Sequence, residues 1–290
     1  MDERTALGLL ADRLDPVGDD AAVVDGQVVT TDMLHDRTDF PDGTTRYTAG
    51  WRAVGASLSD VAAMGADATA AVAVYAAPAF DETELLAFVA GASDVCEAVG
   101  AEYVGGDLDH HDEFTVATTA LGDSDAPVLR SGARVGDAVC VTGTLGRSGA
   151  ALELFERGET ERANALFRFE PRVAAGETLA GHATAMMDSS DGLARSLHQI
   201  AEASDCGVAV ESPLPIDPAV DDVAVDENER LELGAFFGED FELVCTLPED
   251  ALDAVREELP VDLTRVGTVV EASEGITLDG ESMPDRGYTH

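Results

Sequence analysis

Five motifs rich in aspartate lie where apolar segments of the chain end. Each motif follows or interrupts residues that we expect to be buried, so its carboxylates are expected to be held in place rather than freely solvated. Carboxylates held close together repel one another unless a cation joins them, and hard divalent cations prefer oxygen ligands. The motifs therefore predict a site for such cations and, through them, for phosphate groups. They are Gly18-Asp19-Asp20, Thr30-Thr31-Asp32, Ser59-Asp60, Gly105-Gly106-Asp107 and Asp188-Ser189-Ser190-Asp191.

The acidic composition is the background against which these motifs must be judged. The 290-residue chain has 58 aspartates and glutamates against 17 basic residues, all of them arginine, and a formal net charge of -41. The charge is spread along the whole length, which favours an acidic globular surface over an acidic tail. We interpret it as adaptation to a halophilic cytoplasm, because molar salt shortens the Debye length to about 3 Å and screens the self-repulsion. A partner with a large basic surface is the alternative.

The absence of lysine excludes several kinds of chemistry. A Walker A loop needs a Gly-Lys-Ser/Thr sequence, and Schiff-base catalysis needs a lysine amine. Phosphate must therefore be handled by metal ions, arginine and backbone N–H groups. We expect no nucleic-acid partner and, because no apolar run reaches about 18 residues, no membrane span. The start of the chain has no basic leader, and the four cysteines are too far apart for a metal site, so we expect buried reduced thiols and a cytoplasmic location.

The elements that must position the motifs follow from the apolar pattern. Asp25-Gly26 favours a tight hairpin between strands over residues 21–24 and 27–31, which brings the first two motifs to the same end of the hairpin. A helix over residues 47–64 carries Asp60 near its C-terminal end. A short strand over residues 102–104 runs into the Gly105-Gly106-Asp107 motif. The fifth motif, Asp188-Ser189-Ser190-Asp191, follows a strand over residues 183–187 and overlaps the start of a helix over residues 190–203, which Ser190 or Asp191 could cap.

Strand and helix patterns alternate in both halves of the chain and restart near residues 130–136. They predict an α/β (α+β) architecture with two domains, residues 1–134 and 135–290. A short helix is predicted over residues 3–14. The segment 143–149 lacks the Gly-x-Gly-x-x-Gly spacing, and we interpret it as a closely packed turn between a strand and a helix rather than a phosphate loop.

Eight motifs, taken in order, resemble those of the thiamine-monophosphate kinase family. The resemblance runs from about residue 15 to Tyr288. It implies the two-domain fold of the aminoimidazole ribonucleotide synthetase superfamily, in which an N-terminal sheet-forming domain pairs with that of a second copy in a homodimer and a C-terminal α/β domain completes the site. The motifs are Gly18-Asp19-Asp20, Thr31-Asp32-Met33-Leu34, Leu58-Ser59-Asp60, Gly105-Gly106-Asp107, Arg130-Ser131-Gly132, Val141-Thr142-Gly143, Asp188-Ser189-Ser190-Asp191 and Gly238-Glu239-Asp240-Phe241-Glu242-Leu243.

The resemblance also implies an activity and a set of site residues. The activity is ATP-dependent, Mg²⁺-dependent phosphorylation of thiamine monophosphate to thiamine diphosphate, the last step of thiamine diphosphate biosynthesis. The family usually has a histidine where this chain has Asp39, so that substrate contact is in question. The implied metal ligands are Asp19, Thr30, Thr31, Asp32, Asp60, Asp107, Asp188 and Asp191; the ATP contacts are Gly106, Asp107, Arg130 and Ser190; the substrate contacts are Asp39, Glu239 and Tyr288; and the catalytic residues are Asp60, Asp107 and Arg130.

The acceptor in that reaction is a phosphate monoester with a second pKa of about 6, so it is largely deprotonated near neutral pH. No general base is then needed, and we expect direct in-line transfer without a phosphoenzyme. Two alternatives stay open. The chain could be another ATP-using enzyme of the superfamily, such as an aminoimidazole ribonucleotide synthetase or a selenophosphate synthetase, although the first cysteine is as late as Cys96. It could also be a protein that binds nucleotide or metal without catalysis.

Overall fold

The computed structural model describes Leu10, Arg13 and residues 18–288. The helix predicted over residues 3–14 lies, apart from these two positions, outside the described residues. The described part of the chain forms a five-stranded and a seven-stranded sheet, each accompanied by helices. None of its helices has the length and apolar character needed to cross a lipid bilayer.

The first sheet contains the predicted hairpin. Its strands are β1 (Ala22–Val24), β2 (Gln27–His35), β3 (Asp67–Ala77), β4 (Glu102–His110) and β5 (Thr115–Asp123). Their order across the sheet is β1-β2-β5-β3-β4, with β3 and β4 parallel and the other neighbours antiparallel. Val24 lies opposite Gln27 across the Asp25-Gly26 turn, which confirms the hairpin. A short helix, α1 (Asp36–Asp39), follows β2.

Two helices cover one face of this sheet. They are α2 (Arg46–Ala63), which confirms the helix predicted over residues 47–64, and α3 (Glu82–Ala98). Their close approach depends on glycine: a Cβ at Gly50 would lie 2.1 Å from the Phe88 carbonyl oxygen, and one at Gly91 would lie 2.0 Å from the Tyr47 carbonyl oxygen. Because no larger residue fits at these two crossings, the small residues of α2 fix its position on the sheet.

The other face of the first sheet carries exposed apolar side chains. Strand residues alternate between the two faces, so alternate positions of β2, β3 and β4 point away from the helices. Four large apolar residues there are between 36% and 59% exposed, namely Met33, Val72, Val74 and Val104.

The second sheet has the strand order β12-β11-β8-β10-β6-β9-β7. Its strands are β6 (Ala138–Thr142), β7 (Ala185–Asp188), β8 (Cys206–Val210), β9 (Leu243–Leu247), β10 (Leu263–Glu271), β11 (Ile276–Leu278) and β12 (Glu281–Ser282). The α-helices of this half are α4 (Arg147–Glu156), α5 (Thr160–Phe167), α6 (Val173–Ala180), α7 (Leu193–Ser204), α8 (Pro218–Asp221), α9 (Glu227–Leu231) and α10 (Leu252–Glu258). A π-helical turn, Glu232–Phe236, follows α9, and 3-10 turns lie at Glu249–Ala251 and Ala272–Glu274.

One hydrophobic cluster joins the two halves. It contains Leu58 and Val61 of α2 together with Met186 of β7 and Leu243 of β9. Helix α2 is therefore packed against both sheets, and side chains on it can reach the strand ends of either half.

Two predictions of local structure are wrong. The strand predicted to stop at residue 104 continues through Gly105-Gly106-Asp107 to His110, because pairing with β3 outweighs the low strand propensity of glycine. Neither Ser190 nor Asp191 caps the following helix. Helix α7 starts at Leu193, after Gly192 with a φ of +96° and without a side-chain cap.

Candidate functional site

Three carboxylates from distant parts of the sequence meet at one place. Oxygen atoms of Asp20, Asp60 and Asp188 all lie within 4.8 Å of one another. Asp20 enters the β1–β2 hairpin, Asp60 lies in the last turn of α2, and Asp188 ends β7. This arrangement agrees with the prediction that the motifs converge, and a group of carboxylates at this spacing can surround a divalent cation.

The electrostatics of this cluster favour a cation. Burial raises the pKa of the Asp60 carboxyl well above its usual range, and Asp32, Asp188 and Asp20 raise it further. Burial, followed by the charge of Asp20, raises the pKa of Asp188 to about 7. Without a metal, the ionised forms of these side chains are destabilised, so a positive ion placed among them relieves both repulsion and desolvation.

Hydroxyl groups hold the carboxylates in place. Thr30 Oγ1 donates a hydrogen bond of 2.5 Å to Asp60 Oδ2, and Ser59 Oγ donates one of 2.7 Å to Asp188 Oδ2. Ser57 Oγ donates one of 2.7 Å to Asp32 Oδ2. Helix α2 therefore supplies the Asp60 carboxylate of the cluster, and its serines orient the carboxylates of Asp188 and Asp32. Ser57 was missed by the sequence analysis, although a buried serine in an apolar helix was a usable signal.

Arg130 ties the first motif to the cluster. Its guanidinium contacts both carboxylate oxygens of Asp20, at 3.2 Å from Nε and 2.9 Å from Nη2, and its backbone N–H donates to Asp19 Oδ1 at 2.8 Å. Burial opposes the charge of Arg130, but Asp20 outweighs it and raises the arginine pKa. The resemblance pointed to Asp19 as the metal ligand of this motif, whereas the carboxylate that meets Asp60 and Asp188 belongs to Asp20.

The loop after Asp188 connects the carboxylates to the residues expected to contact substrate. The backbone N–H of Glu239 donates to the Ser190 carbonyl at 2.6 Å, and that of Tyr288 donates to the Asp191 carbonyl at 3.1 Å. Burial raises the pKa of Tyr288, and the charges of Glu239 and Asp39 raise it further. Backbone hydrogen bonds therefore connect this loop to Glu239 and Tyr288, two of the three predicted substrate contacts.

Asp39 is buried and takes part in local hydrogen bonds. Its Oδ2 accepts a hydrogen bond of 2.7 Å from the His35 backbone N–H and one of 2.8 Å from Thr38 Oγ1. The Tyr288 hydroxyl donates to the Thr38 carbonyl at 3.3 Å. Asp39 therefore holds the segment whose Thr38 carbonyl accepts the hydrogen bond from Tyr288.

Two predicted metal ligands lie apart from the cluster. Asp107 is on β4, three strands from β2, which corresponds to about 14 Å at a strand spacing of about 4.8 Å. The Thr31 side chain alternates to the opposite face of β2 from Thr30 and Asp32, and its Oγ1 donates to the Thr118 carbonyl at 2.7 Å. Within a single chain, these two side chains do not join Asp20, Asp60 and Asp188.

The strand that carries Gly106 and Asp107 borders a cavity. The cavity lies between α3 and β4, has a volume of about 460 Å³, and is lined mainly by apolar side chains, among them Leu86, Val89 and Tyr103. Gly106 has a φ of +152°, and a Cβ there would lie 1.7 Å from the Ala73 carbonyl oxygen. Glycine is therefore required at this position, because β3 and β4 come close together here.

The segment 143–149 is the strand-to-helix turn that was predicted. β6 ends at Thr142 and α4 begins at Arg147. The N-terminal N–H groups of α4 bind a carboxylate of the protein itself: Asp240 accepts hydrogen bonds of 2.5 Å from the Gly146 N–H and 3.0 Å from the Ser148 N–H. Burial raises the pKa of Asp240 to about 7, and these two hydrogen bonds act in the opposite direction.

The other two acidic residues of the Gly238–Leu243 motif bind arginines that the sequence analysis missed, the buried Arg52 and the half-buried Arg172. Arg52 Nη2 lies 2.5 Å from Glu239 Oε2. Arg172 contacts both carboxylate oxygens of Glu242, at 2.8 Å and 2.6 Å. Each acidic residue of this motif therefore has a different partner, and no sequence spacing connects these arginines to it.

Comparison with known proteins agrees with this architecture. The family model for the N-terminal domain of AIR synthase related protein matches residues 18–123, and that for the C-terminal domain matches residues 134–279. The fold and the carboxylate site therefore define a member of the AIR synthase related class.

Similarity to individual relatives shows which family within this class the chain belongs to. The chain is 63% identical over 291 residues to the thiamine-monophosphate kinase of Halobacterium salinarum, covering 100% of each. It is 40% identical over 302 residues to that of Methanospirillum hungatei, covering 100% of this chain and 99% of the relative. The solved structure of AaThiL complexed with AMPPCP and TMP has a TM-score of 0.89 and 29% identity, covering 100% of this chain and 97% of that one. The chain belongs to the thiamine-monophosphate kinase family, which confirms the family and fold expected from the motifs. The relative from Halobacterium also fits the high-salt interpretation of the acidic composition.

Proposed function

We propose that this chain transfers the terminal phosphoryl group of ATP to thiamine monophosphate and forms thiamine diphosphate. The observation that carries the proposal is the cluster of Asp20, Asp60 and Asp188 in a chain 63% identical, over its full length, to a thiamine-monophosphate kinase. A related structure was solved with AMPPCP and TMP, which supports ATP as co-substrate and the thiamine ester as acceptor.

The proposed metal is Mg²⁺, because the donor set consists of buried carboxylate and hydroxyl oxygens. Bound Mg²⁺ would neutralise charge on the phosphates that react. Asp20, Asp60 and Asp188 would bind it, and Asp19, Thr30, Asp32 and Asp191 are the further ligands that we propose for additional metal ions. Arg130, whose guanidinium donates two hydrogen bonds to Asp20, would also donate to the ATP phosphates. Ser190 would contact ATP. In this scheme the residues position two phosphates in line, and none acts as a general base.

We further propose that the chain works as a homodimer joined through the first sheet. The uncovered face with Met33, Val72 and Val74 offers the apolar surface that a second copy could bury. Asp107 and Thr31, which do not reach the cluster within one chain, could then serve a site shared by two copies. The cavity beside Gly106 has the apolar lining suited to a purine ring.

Two further assignments complete the proposal. We assign residues 1–134 to an N-terminal domain for metal, ATP and dimer contacts, and residues 135–290 to a C-terminal domain that completes the site. We expect the protein to work in the cytoplasm.

The direct test is an assay of thiamine diphosphate formation. Purified protein is incubated with ATP, Mg²⁺ and thiamine monophosphate in molar KCl, and the product is separated by chromatography. The matched variants are Asp60→Asn and Asp137→Asn. Asp137 is also buried, but its carboxylate accepts hydrogen bonds from the Arg134 N–H and Thr184 Oγ1 away from the cluster.

We expect D60N to lose about a thousandfold in turnover, because metal ions contribute several kcal/mol to charge stabilisation. D137N should lose stability rather than turnover. Failure of the wild-type protein to form thiamine diphosphate would contradict the proposal. Equal turnover by D60N and wild type would favour a non-catalytic role for the cluster, and activity with a different acceptor would favour another enzyme of the superfamily.

A further inference from the structure

Arg52 is the largest fully buried side chain in the described part of the structure. It lies on α2, eight residues before Asp60, which corresponds to about 12 Å along the helix axis. Its guanidinium donates to Glu239 Oε2 at 2.5 Å, to the Glu239 carbonyl at 3.1 Å and to the Phe167 carbonyl at 2.8 Å. It also lies 3.6 Å from the centre of the Phe167 ring. The arginine thus holds both the backbone and the carboxylate of one residue.

The backbone that Arg52 holds is strained. Glu239 has a φ of +61° and Phe241 a φ of +54°, values that a residue with a Cβ rarely adopts. Such conformations persist where surrounding contacts over-determine them, and they concentrate at functional sites. Here Ser148 Oγ donates to the Glu239 carbonyl at 2.6 Å, and the Phe241 ring stacks on Phe169 with centroids 4.2 Å apart.

We propose that Arg52 is a positioning residue for the acceptor substrate: it holds the Glu239 carboxylate at the site and fixes its distance from the carboxylate cluster. The inference rests on the function proposed above and on the acceptor contact that the motif resemblance implies for Glu239. Helix α2 carries both Arg52 and Asp60, so one rigid element sets the position of the acceptor relative to the metal-binding carboxylates.

The chemistry of arginine explains why this residue is suited to the role. A planar guanidinium can donate to a carboxylate, a carbonyl and a second carbonyl at the same time, whereas a lysine ammonium cannot reproduce that fork. Among the described residues, the hydrogen bonds to the Glu239 carboxylate use its Oε2 atom. The Oε1 atom then remains for a donor group of the substrate.

A buried ion pair could also serve stability alone, and the chain contains a matched control for that possibility. Arg172 holds Glu242, three residues after Glu239, through two hydrogen bonds. Glu242 also accepts a hydrogen bond from Thr142 Oγ1 at 2.7 Å inside the second sheet, so this pair is part of the packing of that sheet. Replacing either arginine by lysine keeps the positive charge but removes the planar guanidinium that donates several hydrogen bonds at once.

The experiment compares Arg52→Lys and Arg172→Lys in the assay of thiamine diphosphate formation, with KM measured separately for each substrate and Tm measured for each protein. We expect R52K to raise KM for thiamine monophosphate about 10- to 100-fold, since a misplacement of about 1 Å costs up to about a hundredfold, and to leave KM for ATP within about twofold. We expect R172K to lower Tm and leave both KM values close to those of the wild type. A loss of Tm in R52K with no separation of the two KM values would overturn the inference.

A double-mutant cycle keeps the test decisive if R52K folds poorly. If Arg52 acts through Glu239, adding R52K to Glu239→Gln should change kcat/KM for thiamine monophosphate much less than R52K does in the wild type. Additive effects would contradict the inference. An inactive wild-type protein would instead contradict the proposed function, so the two failures are distinguishable.

Discussion

Asp188→Asn should make the metal-free protein more stable, although it removes a residue of the proposed metal site. Asp188 is fully buried and its pKa is raised from 3.8 to about 7. A folded-state pKa above the unfolded value means that stability is greatest below about pH 4, falls as the pH rises, and reaches its lower limit above about pH 7. Asparagine has nearly the same shape and does not ionise, so it avoids this loss.

The magnitude follows from the size of the shift. A difference of about 3 pKa units corresponds to about 4 kcal/mol above pH 7 and to about 2 kcal/mol near pH 5.5. Asp188 accepts hydrogen bonds from Ser59 Oγ and from the Ser190 N–H, and asparagine has one acceptor oxygen for the two donors. Losing one of them costs about 1 kcal/mol. The variant should therefore be more stable than the wild type by about 3 kcal/mol near pH 8 and by about 1 kcal/mol near pH 5.5.

The assay is urea unfolding in EDTA and constant molar KCl, at both pH values, followed by circular dichroism. Buried charges are little screened by salt, so the KCl should not hide the effect. Mg²⁺ at a hundredfold excess over its Kd should add about 2.7 kcal/mol to the wild type and remove most of the advantage of the variant. A wild-type stability that does not change between pH 5.5 and pH 8, or a variant that is less stable than the wild type in EDTA, would refute this electrostatic account.

Three other changes test separate parts of the site. Ser59→Ala removes the hydroxyl that orients Asp188 and should weaken Mg²⁺ activation about 10- to 100-fold, measured as the Mg²⁺ dependence of turnover. Gly106→Ala should destabilise the protein by about 1–3 kcal/mol more than Gly105→Ala and raise KM for ATP, because a Cβ meets the Ala73 carbonyl only at residue 106. Val74→Asp should convert a dimer into monomers in light scattering; a wild-type protein that is itself monomeric would contradict the proposed interface.

Local sequence signals were sufficient where local physics decides the structure. The Asp25-Gly26 pair predicted its hairpin because a tight turn of this kind requires left-handed backbone, and both residues have a positive φ. The apolar spacing of residues 47–64 predicted α2 and placed Asp60 near its end. These two elements account for most of the convergence of the carboxylates.

Tertiary contacts decided the points that the sequence could not show. Asp20 rather than Asp19 meets Asp60 and Asp188 because Arg130, more than a hundred positions away, holds its carboxylate. Helix α7 starts only after Gly192, because the carbonyl groups of Ser190 and Asp191 accept hydrogen bonds from the backbone of Glu239 and Tyr288 and not from the helix. No spacing rule relates such partners, because each pair is separated by whole elements of the fold.

The position of α2 determines the geometry of the whole site. Its glycine crossing fixes its distance from α3. Its side chains at positions 52, 57, 59 and 60 contact Glu239, Asp32, Asp188 and Thr30 respectively. Strands and loops from both halves therefore depend on one helix for their relative positions. In the proposed reaction, metal ions neutralise the phosphates in a protein that has no lysine, and the spacing of these carboxylates then decides whether the ions bind. We infer that α2, rather than any one loop, supplies the rigidity that phosphoryl transfer in this site requires.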